Sequence, residues 1–174
     1  HGGSAGLLRD GKGSTWEGGM REPAIAWWPG KIKPGITSQD LACTMDLFPT
    51  CLKLAGIDLP DDRIIDGKDM APILFGSGPS LRKSFIFYRG YRLMAARKGP
   101  WKAHFMTQDA YGPNSKTPVN HDPPLLYNLE HDPSEKYDIA KEKPEVIADI
   151  MAEVKRHKDK MIPGESQIEK LPKK

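Results

Sequence analysis

The sequence predicts an α/β chain in two parts. Residues 1–78 read as the last part of a larger mixed-sheet domain. Residues 80–162 read as a small α+β subdomain, a four-stranded antiparallel sheet with one C-terminal helix, and 163–174 as a tail. Three observations carry this prediction. Pro23 to Trp28 is a near-continuous apolar run of strand length, the pattern of a strand buried on both faces. Short β-rich segments recur between Phe85 and Leu129 at the spacing of an antiparallel meander. Pro144 to Met161 carries Val146, Ile147, Ile150, Met151 and Val154 on one helical stripe.

Taken in order, residues 1–23 form an extended loop, because their glycine density excludes helix. The apolar strand that follows needs a layer on each face. The 22 residues before it cannot supply one, so the sequence implies further material. Asp46 to Gly56 predicts a helix with Asp46 as N-cap, Pro49 in the first turn and Gly56 as the stop. Its stripe is Leu47, Phe48, Cys51, Leu52 and Ala55. A short helix over Met70–Phe75 ends at Gly76. Strands are expected over Phe85–Tyr88, Arg92–Ala96, Trp101–Met106 and Pro124–Leu129, with a long polar loop over 107–123. In the last helix Pro144 suits the first position, and basic residues gather in the final turn, as the helix dipole favours.

Composition narrows the function. Sixteen prolines and seventeen glycines in 174 residues favour turns and short elements, and 28% charged residues fit a globular chain. The formal charge of +3 comes largely from Lys155, Arg156, Lys158, Lys160, Lys170, Lys173 and Lys174. No aromatic residue follows Tyr137, so the basic region reads as a solvated helix end and tail, not a nucleic-acid surface. No apolar stretch is long enough for a membrane helix. Cys43 and Cys51 do not make a disulfide framework, and Cys51, on the apolar stripe, is expected as a buried free thiol.

The chemistry concentrates in Gly11-Lys12-Gly13-Ser14-Thr15-Trp16-Glu17-Gly18-Gly19-Met20-Arg21. Gly6 to Lys12 satisfies G-x-x-x-x-G-K, but Gly13 stands where a P-loop needs a Ser or Thr hydroxyl. No strand precedes the segment and no clear helix follows Lys12. A lysine among glycines nevertheless suits a tetrahedral oxyanion, whether centred on phosphorus or sulfur.

The pattern G-K-x-[ST]-x-x-E-G-G-x-R-x-P, followed by an apolar run and W-P-G, resembles the C-terminal part of type I sulfatases of the alkaline-phosphatase-like superfamily. It is most similar to the arylsulfatase A and N-acetylgalactosamine-6-sulfatase branch. The likeness continues in order through Met45 to Thr50, Ile65 to Asp69, Phe87-Tyr88, Lys102 to Phe105, and Leu126 to Glu135, and covers residues 5 to about 140. It implies a sulfuric ester hydrolase acting on an aryl or carbohydrate sulfate, with Lys12 as a catalytic, substrate-binding ligand to the sulfate. It also implies loop-supporting roles for Glu17 and Arg21 as a buried or half-buried pair, and for Gly18 and Gly19 through unusual backbone angles. Asp46 would cap its helix. His104 and Tyr111 are candidates for contact with the substrate, although alternation could equally turn His104 into the domain core.

The family's nucleophile is a formylglycine made from the cysteine of C-x-[PA]-x-R, and its Ca²⁺ is held by Asp and Asn side chains. Cys43-Thr44-Met45-Asp46-Leu47 and Cys51-Leu52-Lys53-Leu54-Ala55 both fail the first pattern, and no Asp-Asn pair occurs. Asp10 stands where some relatives have a cysteine. The chain is therefore expected to hold no metal or cofactor and to lack turnover alone, with nucleophile and calcium coming from a missing N-terminal segment. Exposed apolar surface around Ile25 to Trp28 would then lead to oligomerisation or bind a complementary chain. A periplasmic, secreted or lysosomal setting follows from the resemblance only. The rival reading is a stand-alone α+β binding or interaction module without chemistry.

Overall fold

A computed structural model describes residues 3–162 and 164. The predicted tail lies outside the described residues except at Gly164. Three short helices come first: α1 (Glu17–Met20), α2 (Leu47–Leu54) and α3 (Ala71–Leu74). Strands β1 (Ser84–Arg89), β2 (Arg92–Lys98), β3 (Trp101–Thr107) and β4 (Val119–Asn128) follow, and α4 (Pro144–Lys160) closes the described chain. The strands pair antiparallel in sequence order, β1-β2-β3-β4, as a meander.

Alternation along β3 sorts side chains onto two covered faces. Ala103 faces one side with Ala96 and Leu126, and α4 lays Ile150 and Val154 over them, flanked by Trp101 and Phe105. Lys102 and His104 face the other side. Register pairs them with Arg97, Tyr127, Ala95 and Leu125. That second face is covered by the glycine-rich N-terminal loop, whose Trp16 packs with Tyr127 and Leu129. The sheet thus joins residues near the start of the chain to its last helix.

β4 begins at Val119, inside the stretch expected as loop. The prolines at 123 and 124 disguise it, since proline lacks the amide a ladder requires. They sit where the register jumps from His104↔Leu125 to Met106↔Asn120, so the extra residues bulge out of the pairing.

Three further expectations give way. Pro23–Trp28 forms no strand, and Ile25 and Trp27 are 96% and 84% exposed. Among the described residues no strand outside the four-stranded sheet is available to pair with it, so the apolar run stays unpaired. The α2 stripe is also outward: Leu47, Phe48 and Cys51 are exposed, and the buried residues are Pro49 and Thr50. Cys51 is a free thiol, but at the surface. Finally, Asp46 makes no side-chain cap to α2.

Asp46 is instead the anchor of the 43–82 region. Its carboxylate accepts hydrogen bonds from the amides of Cys43 and Lys68 and from the Arg82 guanidinium. Burial alone would raise its pKa, but these bonds and the Arg82 charge more than offset that and hold it low. Gly67 passes so close that a Cβ there would stand 2.2 Å from the Met45 carbonyl oxygen. At the end of α2, Gly56 adopts φ +70° and Ile57 N–H returns to Leu52 O, the predicted glycine stop.

Candidate functional site

Lys12 stands at the tip of a tight turn. Ser14 N–H donates to Gly11 O, and Gly13, third in the turn, takes φ +107°, a conformation a side chain would resist. From Ser14 to Glu17 the chain is buried, whereas Lys12 and Gly13 are exposed. Among the described residues no carboxylate lies within ion-pairing distance of the Lys12 ammonium. The turn therefore presents a cation to solvent from an immobilised base.

Four sets of contacts fix that base. α1 is folded back against it, so that a Cβ on Gly18 would stand 2.4 Å from both the Arg9 and Asp10 carbonyl oxygens. One on Gly19 would stand 2.5 Å from Ser14 O and 2.6 Å from Gly11 O. Neither glycine has a positive φ. They are needed for close backbone approach, which corrects the expectation of unusual angles. Asp10, with φ 60°, accepts the Ala110 amide at 2.7 Å, and Trp16 Nε1–H donates to Asp109 Oδ1 at 3.0 Å. These two bonds dock the loop after β3 onto the lysine turn. Tyr111 in that loop is half exposed, and its ring lies 3.4 Å from where a Gly11 Cβ would be. The structure thus brings Lys12 and Tyr111 into neighbouring loops.

Arg9 supplies the third contact. Its guanidinium stacks 3.6 Å from the Trp16 ring centroid and donates to Glu135 O at 2.8 Å.

The fourth is a buried ionic cluster. Lys102, with 0% exposure, donates to Thr15 O at 2.7 Å and Glu17 Oε1 at 2.8 Å, and lies 3.1 Å from Glu135 Oε1. The ammonium thus makes two hydrogen bonds and a second ion pair, and the Phe87 ring lies 4.7 Å away. Glu135 Oε2 accepts the Glu17 amide at 2.6 Å, and its Oε1 lies 2.6 Å from His104 Nε2. Glu135 adopts φ 50°, unusual for a glutamate and held here by bonds to both carboxylate oxygens.

His104 has no exposed surface and lies under Trp16, ring centroids 4.2 Å apart. Alternation has turned it inward, away from anything approaching from solvent, which corrects its candidacy for substrate contact. Burial, with the Lys102 and Arg9 charges, lowers its pKa to about 4 against the pull of Glu135. The ring is therefore neutral at ordinary pH, and Nε2–H donates to Glu135. Nδ1 is buried without a hydrogen-bond partner. Burial would raise the Glu135 pKa, but the His104 hydrogen bond and the Lys102 charge keep it below the ordinary glutamate value.

The expected Glu17–Arg21 pair is not formed. Glu17 is buried on Lys102, with Arg97 at 3.9 Å, whereas Arg21 is exposed and donates to Gln39. Lys102 is the residue sequence reasoning missed, since a lysine in a strand ordinarily marks a solvent face. The signal was its place two residues before His104, opposite the apolar set Trp101, Ala103 and Phe105.

No group of three or more His, Cys, Asp and Glu side chains among the described residues could hold a metal ion. Among the described residues no donor set fits a calcium cradle. Cys43 is half-buried and its thiol is pushed up by burial.

The chain belongs to the sulfatase family. Residues 80–174 match the family described as the C-terminal region of aryl-sulfatase, and residues 1–57 match the sulfatase family itself. Arylsulfatase A of Homo sapiens is 47% identical over 152 residues, which are 79% of this chain and 30% of the relative. N-acetylgalactosamine-6-sulfatase of Canis lupus familiaris is 39% identical over 188 residues, 96% of this chain and 36% of the relative. The solved structure of the PsFucS1 sulfatase from Pseudoalteromonas sp. superimposes with a TM-score of 0.77 at 30% identity, covering 87% of this chain and 32% of that one. The chain spans about a third of the length of the relatives it matches.

Proposed function

We propose that this chain is the C-terminal part of an arylsulfatase-type sulfuric ester hydrolase, in which residues 1–78 complete the catalytic domain and residues 80–162 form the subdomain that braces it. Its direct contribution to the reaction is Lys12. A fixed ammonium offers charge-assisted hydrogen bonds to sulfate oxygens and offsets charge developing on the leaving oxygen as the S–O bond breaks. Formylglycine and calcium would come from the rest of the full-length protein. The observation that carries this reading is the exposure of Lys12, unpaired among the described residues, on a turn locked by Gly18, Gly19 and Asp10. Tyr111 would meet the part of the substrate beyond the sulfate. The family's names favour an aryl or carbohydrate sulfate.

The test is Lys12→Ala in the full-length protein, assayed with an aryl sulfate and the matching phosphate ester side by side. Loss of one preorganised donor should lower kcat/KM for the sulfate by about 10²–10³-fold. Unchanged sulfate hydrolysis would sink the role of Lys12, and preferential phosphate hydrolysis would move the protein to phosphoryl chemistry. The 174-residue chain alone should turn over no aryl sulfate. Turnover there would contradict the division of labour.

A further inference from the structure

We infer that Lys102 is a positioning residue for Lys12: a buried ammonium on β3 that fixes the height and direction of the turn carrying the sulfate ligand. The inference rests on the reading of Lys12 given above.

The geometry separates this from ordinary core packing. A lysine is rarely buried completely, and placing an ammonium out of water is costly unless it is paired and hydrogen-bonded. Lys102 makes two hydrogen bonds, and both go to the segment leaving the turn: Thr15 O at 2.7 Å and Glu17 Oε1 at 2.8 Å. It is also ion-paired with Glu135 Oε1 at 3.1 Å, on a carboxylate that itself accepts the Glu17 amide at 2.6 Å. Thr15 is three residues from Lys12, and Glu17 begins the helical turn whose glycines clasp Gly11 and Ser14. The segment preceding the turn meets the same cluster through Arg9 and the Glu135 carbonyl. Both stems of the turn therefore end on one ionic seat. An apolar residue in place of Lys102 could fill the space, but it could not fix the Thr15 carbonyl and the Glu17 carboxylate at one point. A change of about 1 Å in where a binding group stands can lower a rate about a hundredfold.

The inference is tested by a double-mutant cycle on the full-length protein, with an aryl sulfate as substrate and inorganic sulfate as competing ligand. Lys102→Met should lower kcat/KM about 10- to 100-fold and weaken inhibition by inorganic sulfate. In the Lys12→Ala background, Lys102→Met should change kcat/KM by no more than about twofold, because the group it positions is already gone. If Lys102→Met alone does not fold, the charge-balanced pair Lys102→Met with Glu17→Gln replaces it in the same cycle. That pair removes one buried charge of each sign, the better tolerated change, and leaves Glu135 on His104 and the Glu17 amide; the same outcomes apply. If Lys102→Met lowers kcat/KM equally with and without Lys12, the residue is merely structural and the inference is overturned. If Lys12→Ala alone leaves activity and sulfate inhibition intact, it is the sulfate role of Lys12 that fails.

Discussion

A Cβ on Gly19 would stand 2.6 Å from the Gly11 carbonyl oxygen and 2.5 Å from that of Ser14. Both obstacles are backbone atoms of the lysine turn, so Gly19→Ala must push that turn off α1. Overpacking of this kind costs about 1–3 kcal/mol. We expect a lower Tm and reduced sulfate hydrolysis in the full-length protein. Gly56→Ala is the control: its φ of +70° makes it strained, but nothing lies within 4 Å of the added atom. It should lower stability by roughly 1 kcal/mol and leave activity alone. Equal activity losses in the two variants would contradict this account of Gly19.

Glu17 and Arg21, four residues apart, should behave very differently. Removing a partner from a buried pair costs about 3–5 kcal/mol, and Glu17→Ala leaves Lys102 without that partner. Arg21 is exposed on Gln39, so Arg21→Ala should stay within about 0.5 kcal/mol of the parent. Urea unfolding of both variants checks this. A large effect from Arg21→Ala would restore the pairing suggested by the sequence.

Acid should loosen the seat before it reaches most carboxylates. His104 has a folded pKa of about 4, below its ordinary 6.5, so the unfolded chain binds the proton more readily. Its contribution is complete above about pH 6.5 and is lost as pH falls toward 4. From that difference it amounts to roughly 3 kcal/mol. Glu135, also lowered, acts in the same direction at more acidic pH. Unfolding free energy measured by urea should therefore fall between pH 6.5 and 4, and less steeply in His104→Gln. A parent protein equally stable at pH 7 and pH 5 would refute the assignment of a neutral, buried His104.

Asp46 binds Arg82 with both side chains largely buried, and it also holds the Cys43 and Lys68 amides. Asp46→Ala should destabilise by about 3–5 kcal/mol. Asp46→Asn, which retains one side-chain oxygen as acceptor, should lose less. Chemical unfolding distinguishes them, and equal losses would mean that the Arg82 charge contributes all of the effect.

How much of this was legible in the sequence depended on whether each pattern named its own partner. The meander and α4 were legible because Ala103, Phe105, Ile150 and Val154 carry the period of the face they bury. Pro23–Trp28 announced burial but not against what, and within the described chain it meets no second strand. The turn that exposes Lys12 was legible from its glycines. Of the seat beneath it, only the burial of Glu17 was expected, and with Arg21 as partner; Lys102 and Glu135 are ordinary surface residue types in isolation. They pair only once the chain has folded and brought them together. Asp46 was placed correctly at the start of α2, yet its partner Arg82 is 36 residues away and no local rule reaches that far.

The distances along the chain inside the seat also set an order of events in synthesis. Lys102 lies 85 residues after Glu17, and Glu135 lies 118 residues after it. Loops of that length close late, and only after the intervening sheet has paired. A nascent chain halted before β3 would already carry Lys12, Gly18 and Gly19, but neither Lys102 nor Glu135 to seat them. The Lys12 turn is thus among the first parts of this region to leave the ribosome and among the last to become rigid. Premature termination before Glu135 would then leave a turn encoded more than a hundred residues upstream without its full seat.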